Sequence, residues 1–77
     1  MKIILYTAPA CPFCIIVKNF LNKNSIKFDE IDISKYRKKK EEMEKKSNQS
    51  QVPVTDVDGT IIIGYSLKKL KEALKLE

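Results

Sequence analysis

Histidine is absent from this 77-residue chain. That single absence removes the commonest general base and the commonest zinc ligand together. Cysteine is scarce: only Cys11 and Cys14 occur, two residues apart. Two thiols without a histidine cannot complete the four-ligand tetrahedral site of structural zinc. Long apolar runs are also lacking, and no window approaches the roughly 18–20 residues that span a bilayer. The N-terminal run "KIILYT" is too short for a signal-peptide core and is rich in strand formers. A soluble, cytoplasmic protein without membrane association is expected. In such a reducing compartment a permanent disulfide is disfavoured.

Acidic residues are the minority, 10 Asp+Glu against 15 Lys+Arg, for a net charge of +5. The basic excess gathers in "KYRKKKEEMEKK", Lys35 to Lys46. Glu41, Glu42 and Glu44 interrupt it, and Tyr36 is the one aromatic present for base stacking. No helix-turn-helix, zinc-finger or RNA-binding signature accompanies it. The segment is read as a solvated helix face with interleaved charges, not as a nucleic-acid surface. What remains is ordinary: 43% hydrophobic and 32% charged residues, enough for one small domain over residues 1–77.

Residues 2–7 predict a strand whose nearly continuous hydrophobicity implies burial on both faces. Pro12 suits the first position of a helix, since its missing N–H costs nothing there. Ile16, Val17, Phe20 and Leu21 supply that helix's apolar face, and Asn24 its stop. "IKFDEIDI", residues 26–33, alternates as a second strand with one wet face. Residues 35 to about 46 form a polar helix with Tyr36 and Met43 as anchors, and 47–51 a loop. "VPVTDV" is a third strand; Asp58-Gly59 is a two-residue hairpin turn into the strand "TIII". Ser66 caps a last helix carrying Leu67, Leu70 and Leu74. The order β-α-β-α-β-β-α predicts an α/β fold: a four-stranded mixed sheet with three helices distributed over both faces.

The cysteines thus fall at a strand–loop–helix junction. A disulfide across two residues closes a tiny loop and stabilises little. A C-x-x-C pair near a βαβ pattern points instead to thiol–disulfide exchange. The attacking sulfur must be a thiolate, and a free cysteine titrates near pH 8.5. Lowering that by ~3 units takes ~4 kcal/mol. A helix macrodipole supplies about 0.3–1 kcal/mol, up to ~2 in favourable geometry. Charge-assisted hydrogen bonds of about 1.5–3 kcal/mol must provide the rest. The natural donors are the Phe13 and Cys14 amides, with the Cys14 thiol as a third; Pro12 has none. Cys11 is therefore the expected nucleophile and Cys14 the more buried resolving thiol.

"CPFC" after the first strand, "QVPV" at the third and "IGYS" before the last helix resemble the glutaredoxins of the thioredoxin superfamily. The similarity spans essentially the full chain, including "EEMEKKS" ahead of the proline loop. The family's motif is C-P-Y-C, from which Phe13 departs by a hydroxyl. The resemblance implies a thioredoxin-like fold and a monomeric glutathione-dependent oxidoreductase that reduces protein disulfides or mixed glutathione disulfides. It implies glutathione as co-substrate, with no tightly bound cofactor and no metal. It makes Val52-Pro53 a cis-proline segment facing the cysteines, with Pro12, Phe13 and Pro53 supporting the thiolate. Glutathione would then lie along Tyr6, Phe13, Arg37, Gln51, Val52, Pro53, Gly64, Tyr65 and Ser66. Two departures stand out. A lysine three residues before the first cysteine is replaced by Ala8, and an expected aspartate pair by Ser66 and Leu67. Arg37 or Lys38 could substitute for the first charge. These losses keep a second resemblance open, to small redoxins that thioredoxin reductase reduces and that feed ribonucleotide reductase. A cluster carrier, with iron and sulfur bridged between two protomers by Cys11, is a third class. Cys14 and its neighbouring proline fit dithiol chemistry better.

Overall fold

The computed structural model describes residues 1–76. Strand β1 (Ile3–Thr7) leads into helix α1 (Pro12–Lys23), then β2 (Asp29–Asp32), α2 (Arg37–Ser47), β3 (Val54–Val57), β4 (Thr60–Ile63) and α3 (Leu67–Leu74). The sheet order is β2-β1-β3-β4. β1 pairs parallel to β2 with Leu5 opposite Glu30, and antiparallel to β3 with Tyr6 opposite Val54. β3 and β4 form the antiparallel hairpin. Its turn residues Asp58 and Gly59 both have positive φ, 53° and 96°, the pairing that matches strand twist in a two-residue loop.

Alternation along the central strand divides the core in two. Ile3 and Leu5 join Val17, Leu21, Val57, Ile62, Leu70 and Leu74, which places α1 and α3 on one face. Tyr6 joins Ile33, Met43 and Val54, which places α2 on the other. The expected mixed sheet with helices on both faces is the observed fold.

Several local expectations need correction. β2 is paired only over Asp29–Asp32; Ile26 and Phe28 pack against the larger cluster from the preceding loop. Ile16 lies on the exposed side of α1, whose buried stripe is Cys14, Val17 and Leu21. Tyr36 does not anchor α2. It is the extended N-cap residue, outside the helix, and is 58% exposed. β3 begins at Val54, after the proline that has no N–H to offer a ladder.

Met43 is the one buried apolar residue of α2, packed against Tyr6, Ile33 and Val54, and polar contacts to the sheet add to its hold. The Tyr6 hydroxyl donates to Glu42 Oε2 at 2.5 Å. Lys46 Nζ lies 2.9 Å from Tyr6 Oη and 2.7 Å from Asp56 Oδ2. This network fastens α2 to β1 and to β3, the strand that follows Pro53.

Candidate active site

The chain leaves β1 through Pro9 and Ala10, whose positive φ of 56° turns it toward α1. Cys11 is the N-cap, extended at φ −107° and ψ 102°, and Pro12 occupies the first turn as expected. The Cys14 amide donates to Cys11 Sγ at 3.2 Å. Of the two amide donors expected at Cys11, only that of Cys14 makes this bond. No acidic residue stands in the first turn of α1, so nothing there opposes a negative charge at residue 11. Cys11 and Cys14 are joined as a disulfide with their Cα atoms 5.2 Å apart. Cys14 is 3% exposed, and Cys11 is half-buried and reachable from solvent. The third expected donor, the Cys14 thiol, is consumed in this oxidised form.

The disulfide has two different flanks. Toward β2 lies a cleft of about 250 Å³ lined by Thr7, Cys11, Cys14, Lys18, Glu30 and Asp32, among others. Its charges are largely spoken for. Lys18 Nζ is 3.0 Å from Glu30 Oε1, and Thr7 donates to Glu30 Oε2 at 3.3 Å. The Ser34 hydroxyl and amide hold the Asp32 carboxyl below the usual carboxylate range. Sequence reasoning missed these neighbours. The period-two pattern of β2, which puts Glu30 and Asp32 on one face, was the available signal.

The other flank is backbone and aromatic. The Val52-Pro53 peptide bond is cis. The Gly64 amide donates to the Pro53 carbonyl at 2.8 Å, and Gly64 adopts φ 75°, a conformation suited to glycine. Next to it, the Tyr65 ring stacks on Phe13, centroids 6.0 Å apart and 20° from parallel. Both rings are open to solvent, at 44% and 54%. Ser66 caps α3 by accepting from the Lys69 amide at 3.3 Å. A continuous chain of contacts thus runs from Pro53 through Gly64 and Tyr65 to Phe13, between the two cysteines. Among the described residues neither the Val52 N–H nor its C=O has an internal hydrogen-bond partner.

Of the residues that the resemblance assigned to glutathione, Tyr6 lies in the core, and Arg37 and Gln51 stand exposed. Tyr6 is wholly buried beneath α2 with its hydroxyl engaged by Glu42 and Lys46, so it is a core residue without access to a ligand. Burial raises its phenolic pKa, reinforced by the Glu42 hydrogen bond. Arg37 is exposed at the start of α2. Gln51 is exposed, and its backbone amide donates to Gln49 Oε1 at 2.7 Å.

A family model described as Glutaredoxin matches residues 3–62. Over 71 residues the chain is 34% identical to an uncharacterized glutaredoxin-like 8.6 kDa protein in the rubredoxin operon of Clostridium pasteurianum, covering 92% of this chain and 95% of that one. It is 35% identical over 60 residues to glutaredoxin 3 of Escherichia coli (strain K12), covering 78% of this chain and 72% of that one. The crystal structure of the glutaredoxin (grx-1) from Archaeoglobus fulgidus superposes with a TM-score of 0.90 at 28% identity, covering 96% of this chain and 86% of that one.

Proposed function

This chain belongs to the glutaredoxin family of thiol–disulfide oxidoreductases, and on that premise we propose that its electron donor is glutathione. The observation that carries the reading is the unpaired Val52 backbone. Its free N–H and C=O can form a short β-type pair with the peptide backbone around a substrate cysteine. Val52 is half-buried against the Tyr6 and Met43 cluster, and the Phe13–Tyr65 stack provides an apolar wall beside that segment.

In the reduced protein the Cys11 thiolate attacks one sulfur of a protein disulfide or mixed glutathione disulfide. A Cys11–substrate bond forms, the substrate S–S bond breaks, and the departing sulfur leaves as thiolate with the electron pair. Cys14 or a glutathione thiolate then attacks the mixed disulfide and releases the second thiolate. For a protein disulfide, two glutathione molecules then reduce the Cys11–Cys14 disulfide and leave as one glutathione disulfide; for a mixed glutathione disulfide, one glutathione attacks the Cys11-bound glutathionyl sulfur and leaves with it as glutathione disulfide. The substrates of this reading are disulfide-containing or glutathionylated proteins, and a glutathione-rich cytoplasm is its natural setting.

One observation favours a second reading, reduction by thioredoxin reductase. Phe13, Val52, Gly64, Tyr65 and Ser66 carry no charge, and Ala8 and Leu67 stand where charged residues were expected, which deprives glutathione's ionic groups of those side-chain partners. The decisive measurement compares NADPH oxidation through glutathione and glutathione reductase with NADPH oxidation through thioredoxin reductase. Turnover in the first system is expected. Turnover confined to the second overturns the proposal.

A further inference from the structure

We propose that Gln49 is a positioning residue that holds the Val52 backbone in register for an incoming peptide. The inference rests on the reading that substrate pairs with Val52, and it concerns how that segment is kept in place. Helix α2 ends at Ser47 and is capped by Asn48, which adopts a left-handed φ of 58° and donates its amide to Glu44 O at 2.8 Å. The chain must then cross to β3 through six residues, 48–53, that belong to no helix or strand. Such a connection gains order only from specific contacts.

Gln49 makes those contacts with its side-chain amide. Its Oε1 accepts from the Gln51 N–H at 2.7 Å, and its Nε2 donates to the Gln51 C=O at 3.0 Å. The pair of bonds imitates a strand partner and closes on both polar groups of one residue. The second Nε2 hydrogen goes to Ser47 Oγ at 3.1 Å. Ser47 is buried and donates in turn to Met43 O at 2.7 Å. Gln51, immediately before Val52, is thereby tied through one amide to the buried end of α2. From the other side the Gly64 amide holds Pro53. Val52 is the residue left between two fixed neighbours with its own N–H and C=O free. A side chain that only filled space would not satisfy both backbone groups of Gln51; the carboxamide, with one acceptor and two donors, does.

The test uses single-turnover stopped-flow with the reduced full-length protein and three disulfides. These are glutathione disulfide, its analogue N-methylated at both cysteine amides, and hydroxyethyl disulfide, which has no peptide backbone. In the unsubstituted protein N-methylation is expected to slow attack about tenfold, equivalent to about 1.4 kcal/mol. In Gln49→Ala that ratio falls toward one, because the pairing backbone is no longer held. The hydroxyethyl disulfide rate changes less than twofold and the Cys11 alkylation pH profile is unmoved, which a general loss of structure would not allow. Gln49→Glu, which can still accept from the Gln51 amide, gives a ratio between the two. The ratio is internal to each variant, so a change in folded fraction cancels. A tenfold ratio retained in Gln49→Ala overturns the positioning role while leaving the pairing reading intact. A ratio of one in the unsubstituted protein overturns the pairing reading, and the role of Gln49 with it.

Discussion

Replacing Lys46 by methionine removes one charge and keeps the apolar stem, which isolates what the ammonium does. Its Nζ lies 2.7 Å from Asp56 Oδ2, 2.9 Å from Tyr6 Oη and 5.3 Å from the Tyr6 ring centroid. The Asp56 side chain is 12% exposed and that of Lys46 29%. A pair exposed on both sides is worth about 0–1 kcal/mol. Removing one partner of a fully buried pair costs about 3–5 kcal/mol, because the survivor is left uncompensated. Here Lys46 reaches solvent, and Asp56 keeps the Gly59 N–H at 2.7 Å. The cost therefore falls between these limits, at about 2 kcal/mol. A chain of this size has about 4–12 kcal/mol of stability in all. The loss corresponds to a fall in Tm of about 8–16 °C for a domain of this size. Thermal unfolding followed by far-UV circular dichroism measures it. The double variant Lys46→Met/Asp56→Asn is expected to be less damaged than the sum of the singles, by about 1 kcal/mol, since the orphaned carboxylate is gone. A Tm drop under about 3 °C, or strict additivity, would refute the reasoning and make α2 docking a matter of Met43 and its apolar neighbours alone.

Acid unfolding should report the same network. Burial alone would raise the Asp56 carboxyl, yet hydrogen bonds from Lys46 and the Gly59 amide hold it below the ordinary value; the Tyr6 hydrogen bond does the same for Glu42. Both folded values are depressed, so the stability they contribute is complete above the unfolded values near 3.9 and 4.3 and is lost as pH falls through the folded ones. Tm measured between about pH 6 and 3 should drop steeply, and less steeply in Asp56→Asn; equal slopes count against the assignment. For the active site, the Cys14 amide at Cys11 Sγ and the α1 dipole both favour a negative charge there, so the reduced Cys11 thiol is expected to ionise more readily than a free cysteine. The pH dependence of alkylation in reduced Cys14→Ser tests this, and an inflection near 8.5 would show an ordinary cysteine. Cys14→Ser should retain turnover with glutathione while Cys11→Ser loses it; the reverse result inverts the two roles.

Much of this protein is decided locally, and those parts are legible in the chain of letters. Proline after Cys11, the caps at Ser66 and Asn24, and the Asp58-Gly59 turn each act within a few residues, so their outcome needs no partner. The β-α-β-α-β-β-α order follows from the same local signals, and the family resemblance carried by "CPFC", "QVPV" and "IGYS" places the cysteines at the site. Three matters were left to the fold. Tyr6 was expected beside a ligand and Tyr36 as a helix anchor, yet Tyr6 is sealed under α2 and Tyr36 stands in solvent. The packing of α2 on the sheet and the true start of that helix decide both outcomes. Lys18, Glu30 and Asp32 meet beside the cysteines because β2 lies parallel to β1 in a particular register. Gln49, unremarkable in "SNQSQ", gains a role only when its amide closes on Gln51. Backbone preferences are set by each residue and its near neighbours, whereas burial and long-range hydrogen bonding depend on which surfaces the packed sheet and helices bring together.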